Sequence, residues 1–283
     1  MKIMKTGVID VGGGLRGIYG AGVFDRCMKE GVSFDCCIGV SAGAANIVSY
    51  MAGQSKRNYR FYTEYAFRKK YMSVGNALRT GSYIGLDYIY GELSNQGGED
   101  PLDYAAMVSS GKEAVIVATD AKTAEPHYFT LDDMKQNDYG PIKASSCVPV
   151  IDKPYEIDGV PYFDGGLSDP IPLGQAEDRG CERIVVIITK PRDFYRETKA
   201  DARMARLLSR RWPRSAAALA RRGDVYNFGL DRAKKLEADG RALIVAPDDT
   251  RGMKTLTKDK RAMIAMYNKG YKDAASISEF LAR

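Results

Sequence analysis

An α/β fold, with a mostly parallel central sheet flanked by helices and a helical C-terminal extension, is what the 283-residue sequence predicts. Three observations carry this. Apolar, β-branched runs recur along the chain, several of them continuous rather than alternating, as in strands covered on both faces. Segments of helical periodicity lie between these runs, the alternation that builds parallel sheets through right-handed crossovers. From about residue 191 the chain turns mostly helical and rich in Arg and Lys, with a single strand signal.

In chain order, strands are expected at 6–11 (TGVIDV), 36–40 (CCIGV), 114–119 (AVIVAT), 126–130 (PHYFT), 161–164 (PYFD), 183–189 (RIVVIIT) and 242–247 (ALIVAP). Helices are expected at about 17–30, 42–52, 56–70, 101–110, 172–180, 201–222, 224–239 and 258–282. The organisation that follows is an α/β unit over 1–190. A mostly helical extension over 191–283 is packed on the same domain, its strand adding to the sheet edge. No Gly/Ser linker divides the two.

Composition is that of an ordinary soluble globular chain, 45% hydrophobic and 28% charged, long enough to bury a sizeable core. No stretch approaches the roughly 20 consecutive apolar residues of a membrane span, and MKIMKTGVID reaches Asp10 too soon to hold a signal-peptide apolar region. The five cysteines (Cys27, Cys36, Cys37, Cys147, Cys181) lack metal-ligand spacing and read as small buried residues in a reducing compartment. A cytoplasmic protein without metal or cofactor is expected. The net charge of +6 permits an anionic partner without demanding one. Basic residues are spread through the chain except in one stretch, and nucleic acid is not expected as a partner.

Two glycine motifs hold the chemistry. VIDVGGGLRGIYG at 8–20 spaces Gly12, Gly14 and Gly17 as G-x-G-x-x-G, either a dinucleotide turn or a nest of N–H groups for another anion. CIGVSAGAAN, residues 37–46, places Gly39, Ser41 and Gly43 as G-x-S-x-G between a strand and an Ala-rich helix, the context of a nucleophile elbow. A dinucleotide site wants an acid at the end of its second strand, about 20 residues past the glycines. Asp35 has nearly that spacing but precedes CCIGV, and the strand's end is occupied by Gly39, Val40 and Ser41. A serine nucleophile needs a base, and the chain has one histidine, His127, in an apparent strand and too early for a hydrolase triad. Asp164, at a strand end and followed by Gly165 and Gly166, is the candidate base, against the reading of DGG as a plain turn.

These blocks resemble, in order, those of the patatin-like phospholipases, serine lipid acyl hydrolases that use a Ser–Asp dyad. GGGLRG (Gly12–Gly17) is similar to the family's oxyanion loop, GVSAG (Gly39–Gly43) to its elbow and DGG (Asp164–Gly166) to its aspartate loop. ASSCVP at 144–149 is a weaker match to the segment that precedes the aspartate. The resemblance covers roughly residues 5–175. It implies a three-layer patatin-like fold and ester hydrolysis by a Ser41–Asp164 dyad through an acyl-enzyme. Gly12, Gly13, Gly14 and Ala42 would form the oxyanion hole, and Gly17, Gly39, Gly43, Gly165 and Gly166 would support the motifs. Arg16 is expected to stabilise the loop rather than bind substrate. The rival class is a non-catalytic lipid-binding or regulatory protein that keeps the fold.

Two further stretches bear on partners. ARMARLLSRRWPRSAAALARR at 202–222 carries seven arginines and no acid. Arg203, Arg206, Arg210 and Arg214 share one helical face beside Met204, Leu207, Leu208 and Trp212. A solvated basic face on a core-packed helix is preferred there over contact with an anionic membrane, for example at its inner face. The aromatic-rich stretch 57–92 is expected as core, compatible with an acyl-chain channel. Substrate identity and oligomeric state are left open.

Overall fold

The computed structural model describes residues 4–282. Its eight strands are β1 (Thr6–Asp10), β2 (Cys36–Val40), β3 (Glu113–Asp120), β4 (Pro126–Phe129), β5 (Tyr155–Ile157), β6 (Val160–Asp164), β7 (Arg183–Ile187) and β8 (Ala242–Val245). They form one sheet in the order β5-β6-β3-β2-β1-β7-β8, with β4 also paired to β3. The run from β3 to β8 is parallel, and β4, β5 and β6 enter antiparallel. The chain moves outward from β1 to β2 and β3 on one side and later to β7 and β8 on the other. The order therefore reverses at β1, and the crevice outside the carboxyl ends of such strands is where open α/β sheets bind ligands.

Helices α1 (Ile18–Glu30), α2 (Ala42–Met51), α3 (Arg57–Thr63), α4 (Val74–Thr80), α5 (Tyr104–Ser109) and α6 (Gly140–Ser145) belong to the first half. They are followed by α7 (Leu173–Asp178), α8 (Ala202–Leu208), α9 (Pro213–Ala238), α10 (Lys260–Asp273) and α11 (Ala275–Ala282). Side chains alternate between the two sheet faces. Val8, Cys37, Ile116 and Val185 join the core under α1, α2 and α10, whereas Ile9, Cys36, Val117 and Val186 join the core under α7 and α9. The adjacent Cys36 and Cys37 thus go to opposite layers, and all five cysteines are buried free thiols.

The last third is tied to the rest of the chain by side chains as well as by β8, which pairs with β7 at the sheet edge. Tyr267 donates to Asp25 at 2.6 Å, and Tyr19 donates to Asp273 at 2.8 Å. Three helix boundaries differ from the sequence reading. The 201–222 and 224–239 helices are instead α8 and one continuous α9, because Pro213 sits at the first helical position, where its missing N–H costs nothing. The expected helix over 258–282 breaks at Ala274, and that over 56–70 closes at Thr63 into a 3-10 turn. The arginine-rich stretch matches its solvated reading for the most part. Arg203, Arg206, Arg210 and Arg214 are exposed while Ala205 and Leu208 are buried, although Leu207 is also exposed. Among the described residues no helix is long and apolar enough to cross a membrane.

Candidate active site

Ser41 leaves β2 directly into α2 with φ 58° and ψ −128°, a conformation costly for a residue with a side chain. The neighbouring backbone holds it there. Its N–H donates to Ser145 Oγ at 2.8 Å, so the helix α6 end of the ASSCVP segment fixes the turn. The same segment reaches the other candidate, since the Asp164 N–H donates to the Cys147 carbonyl at 2.8 Å. Val40 pairs with Val117, and Asp164 pairs with Ala118, so Ser41 and Asp164 end strands on the two sides of β3 at one level. The Ser41 hydroxyl lies near enough to the Asp164 carboxylate to favour its ionised form.

Asp164 and Ser41 are each 9% exposed. Burial raises the Asp164 carboxyl above its ordinary range, opposed by the Ser41 hydroxyl, by the Gly166 N–H (2.8 Å to Oδ1) and by the charges of Arg222 and Arg196. Gly165 is confined by close approach, because a Cβ there would lie 2.2 Å from the Val117 carbonyl oxygen.

The glycine loop after β1 runs through three consecutive left-handed residues, Gly12, Gly13 and Gly14, at φ 65°, 122° and 61°. It lies directly on the elbow: a Cβ on Gly12 would stand 2.3 Å from the Val40 carbonyl oxygen and 2.9 Å from the Ala42 nitrogen. Expectation and structure differ at Gly12, whose N–H is committed to Asp10 Oδ1 at 2.9 Å and does not face the serine as a donor. Gly13, and Gly14 and Ala42 as the first residues of helical turns, keep N–H groups that no described residue accepts from. Gly17 and Gly39 allow close packing against the Tyr62 hydroxyl and Ala44, and Gly43 packs on the Asp10 carbonyl.

Several groups that hold this arrangement were not read from the sequence. Asp10, fully buried, takes the Gly12 N–H on one oxygen and Asn46 Nδ2 (2.8 Å) on the other, and burial lifts its carboxyl to about 6. Asn46 also donates to the Gly17 carbonyl, so one amide joins both ends of the loop to α2. Thr189 donates to the Gly12 carbonyl at 2.6 Å, and Thr255 accepts from the Leu15 N–H at 2.8 Å through its own carbonyl. Arg16 donates to Thr255 Oγ1 at 3.3 Å and also faces a cavity. His127 is exposed in β4 with its ring against Phe129 and Tyr162, while Asp35 accepts from Thr6 at the opposite end of β1 from the glycines.

Two cavities meet at Ser41. One, about 60 Å³, is apolar and is lined by residues of the aromatic stretch, among them Phe61, Tyr62, Met72, Ile84, Leu86 and Ile89. Those side chains are core and cavity wall at once. The other, about 460 Å³, is lined by the glycine loop and Asp164 on one side and by residues after 189 on the other. Ser41, Gly14, Val148 and Thr255 belong to both walls. Among the described residues no group of three or more His, Cys, Asp or Glu side chains is placed to hold a metal.

The chain is 32% identical over 206 residues, 72% of its length, to the uncharacterized protein YjjU of Escherichia coli, and spans 57% of that protein. It is 26% identical over 187 residues, 64% of its length, to the lysophospholipase NTE1 of Candida albicans, of which it spans 13%. In fold it is similar to the crystal structure of VipD from Legionella pneumophila, with a TM-score of 0.50, 15% identity, and coverage of 99% of this chain and 67% of that one. Residues 212–282 match a domain family of unknown function, DUF6363. Residues 11–177, which hold every motif described above, match the model of the patatin-like phospholipases, and the chain belongs to that family.

Proposed function

We propose that the protein is a serine lipid acyl hydrolase in which Ser41 is the nucleophile and Asp164 the general base. The observation that carries the reading is the Ser41 hydroxyl, held in a strained elbow, beside a buried carboxylate where an apolar and a polar cavity join. Ser41 Oγ attacks the ester carbonyl carbon as its proton passes to Asp164. The oxyanion that forms lies among the N–H groups of Gly13, Gly14 and Ala42, each donor of this kind contributing about 2.7–4 kcal/mol. Collapse breaks the bond to the alcohol, which leaves with the proton held by Asp164. Water then gives its proton to Asp164, attacks the acyl-serine and releases the fatty acid, and Ser41 recovers its proton.

A carboxyl raised by burial is a stronger base than an exposed one, with a consequence for pH. Asp164 must be ionised to act, so activity falls as pH drops through a value above the ordinary carboxylate range. The test is labelling by a fluorophosphonate probe together with turnover of a p-nitrophenyl ester. Wild type should label and turn over, and Ser41→Ala should do neither. A wild type that binds lipid yet neither labels nor hydrolyses any ester would overturn the reading in favour of a binding protein.

A further inference from the structure

The larger cavity beside Ser41 is strongly asymmetric in charge. Arg16, Lys190, Arg196, Arg222 and Lys254 line it, and the carboxylates on the same wall are Asp164 and the exposed Glu197. Asp201 neutralises Arg222 at 2.8 Å and stands 3.7 Å from Arg196. Among the described residues the remaining cations have no such partner. Arg16 is 9% exposed, and among the described residues its Nε has no hydrogen-bond acceptor and no carboxylate lies within ion-pair distance of it. Lys190 rests its ammonium over the Phe194 ring, 4.4 Å from the centroid. Burial and then the charge of Arg196 lower Arg16 to about 10, and burial, Arg16 and Arg196 lower Lys190. Positive charges crowded in a partly desolvated wall repel one another, and an anion entering among them relieves that repulsion.

All of these cations except Arg16 come from beyond residue 189, so the wall is a property of the C-terminal third rather than of the motif-bearing region. Resting on the acyl-hydrolase reading, we propose that Arg196 and Lys254, with Lys190, form a subsite for the leaving group of a lipid whose headgroup carries net negative charge: a phosphate ester with no ammonium to balance it. Because Ser41 and Gly14 line both cavities, a molecule with its acyl chain among Phe61 and Ile89 and its phosphate among these cations places its ester at the serine oxygen. A choline headgroup has the same phosphate but brings its ammonium into a cationic wall.

The test compares two lysophospholipids of one acyl chain, with phosphoglycerol or phosphocholine headgroups, in neutral detergent micelles and with the full chain. Wild type should favour the phosphoglycerol lipid at least tenfold in kcat/KM, the preference shrinking with added salt. The Arg196→Gln/Lys254→Gln double variant should bring the ratio below threefold, whereas Arg196→Lys/Lys254→Arg should keep it. Each ratio is taken within one preparation, so partial unfolding cancels. A wild-type ratio near one, with p-nitrophenyl ester still hydrolysed, overturns the subsite and leaves the catalytic reading standing. Loss of all ester turnover in wild type removes that reading instead. Competitive inhibition of p-nitrophenyl ester hydrolysis by inorganic phosphate, without headgroup preference, assigns the wall to a free anion and also overturns the proposal.

Discussion

The two walls that meet at Ser41 are built by different means. One is made of backbone: three left-handed glycines, a strained serine and an aspartate at a strand end, brought together by the register of β1, β2, β3 and β6. The other is made of long cationic side chains from the loop after β7, from α9 and from the segment before α10. A backbone wall places N–H groups where few rotamers can move them, as stabilising a short-lived oxyanion requires. A side-chain wall tolerates replacement one residue at a time, which suits selection among substrates. The difference suggests that chemistry and preference can be changed separately, and four measurements bear on that separation.

The largest effect is expected at the backbone wall. Asp164→Asn keeps an oxygen for the Gly166 N–H and removes a buried charge, so the fold should persist. Ester turnover should nevertheless fall on the order of 10³-fold with the loss of the proposed general base. A variant within tenfold of wild type would mean that another group activates Ser41, and the backbone wall would lose its chemical role.

Next is Asp10, whose two hydrogen bonds set the glycine loop against α2. Its carboxyl is lifted from 3.8 to about 6 by burial, so the folded chain holds its proton more tightly than the unfolded one. Stability from this group is therefore complete below about pH 4 and lost as pH rises through about 6, worth about 3 kcal/mol. Urea unfolding of wild type and Asp10→Asn across that window should show wild type losing ground to the variant as pH rises. A difference independent of pH would show that Asp10 is not desolvated, and that the loop is held otherwise.

Legibility in the sequence follows the same division. The elbow, the glycine loop and the Asp-Gly-Gly turn could be read because each is a local backbone geometry that demands small residues at fixed spacing. The strand at 36–40 was legible for a related reason, since a strand buried on both faces is continuously apolar. Arg196, Arg222 and Thr255 carry no such signal. Thr255 meets Arg16 across 239 residues, and only the packing of the last third on the sheet makes them neighbours. Arg222 looked like one more arginine of a basic helix, yet it turns inward to Asp201 and the cavity. Short elements escaped too: the three-residue β5 and the helices α4 and α6 are too brief for periodicity to register. Asp10 and Asn46 stood within the quoted motifs, but nothing in their spacing said that one would bond to the other.

The apolar cavity offers a smaller effect that separates it from the cationic one. Ala45, on α2, lines it, and Ala45→Leu should fill much of its 60 Å³. The kcat/KM ratio of a long-chain to an acetyl ester should then fall about tenfold, near 1.4 kcal/mol, a usual scale for lost methylene contacts in a pocket. An unchanged chain-length ratio would place the acyl group elsewhere and dissolve the contrast between the two cavities.

The smallest effect lies where the walls touch. Thr255 supports the glycine loop twice, accepting the Leu15 N–H through its carbonyl and Arg16 through its hydroxyl. Thr255→Val keeps the shape and the carbonyl but leaves Arg16, whose Nε has no acceptor among the described residues, short of a second one. The hydrogen bond is long at 3.3 Å, so about 1 kcal/mol and a fall of about 2 °C in Tm are expected. An unchanged Tm would mean that the C-terminal third supports the loop through its backbone alone. A loss several times larger would mean that Arg16, rather than the glycines, holds the loop in shape, and the line between a backbone wall and a side-chain wall would have to be redrawn through the motif itself.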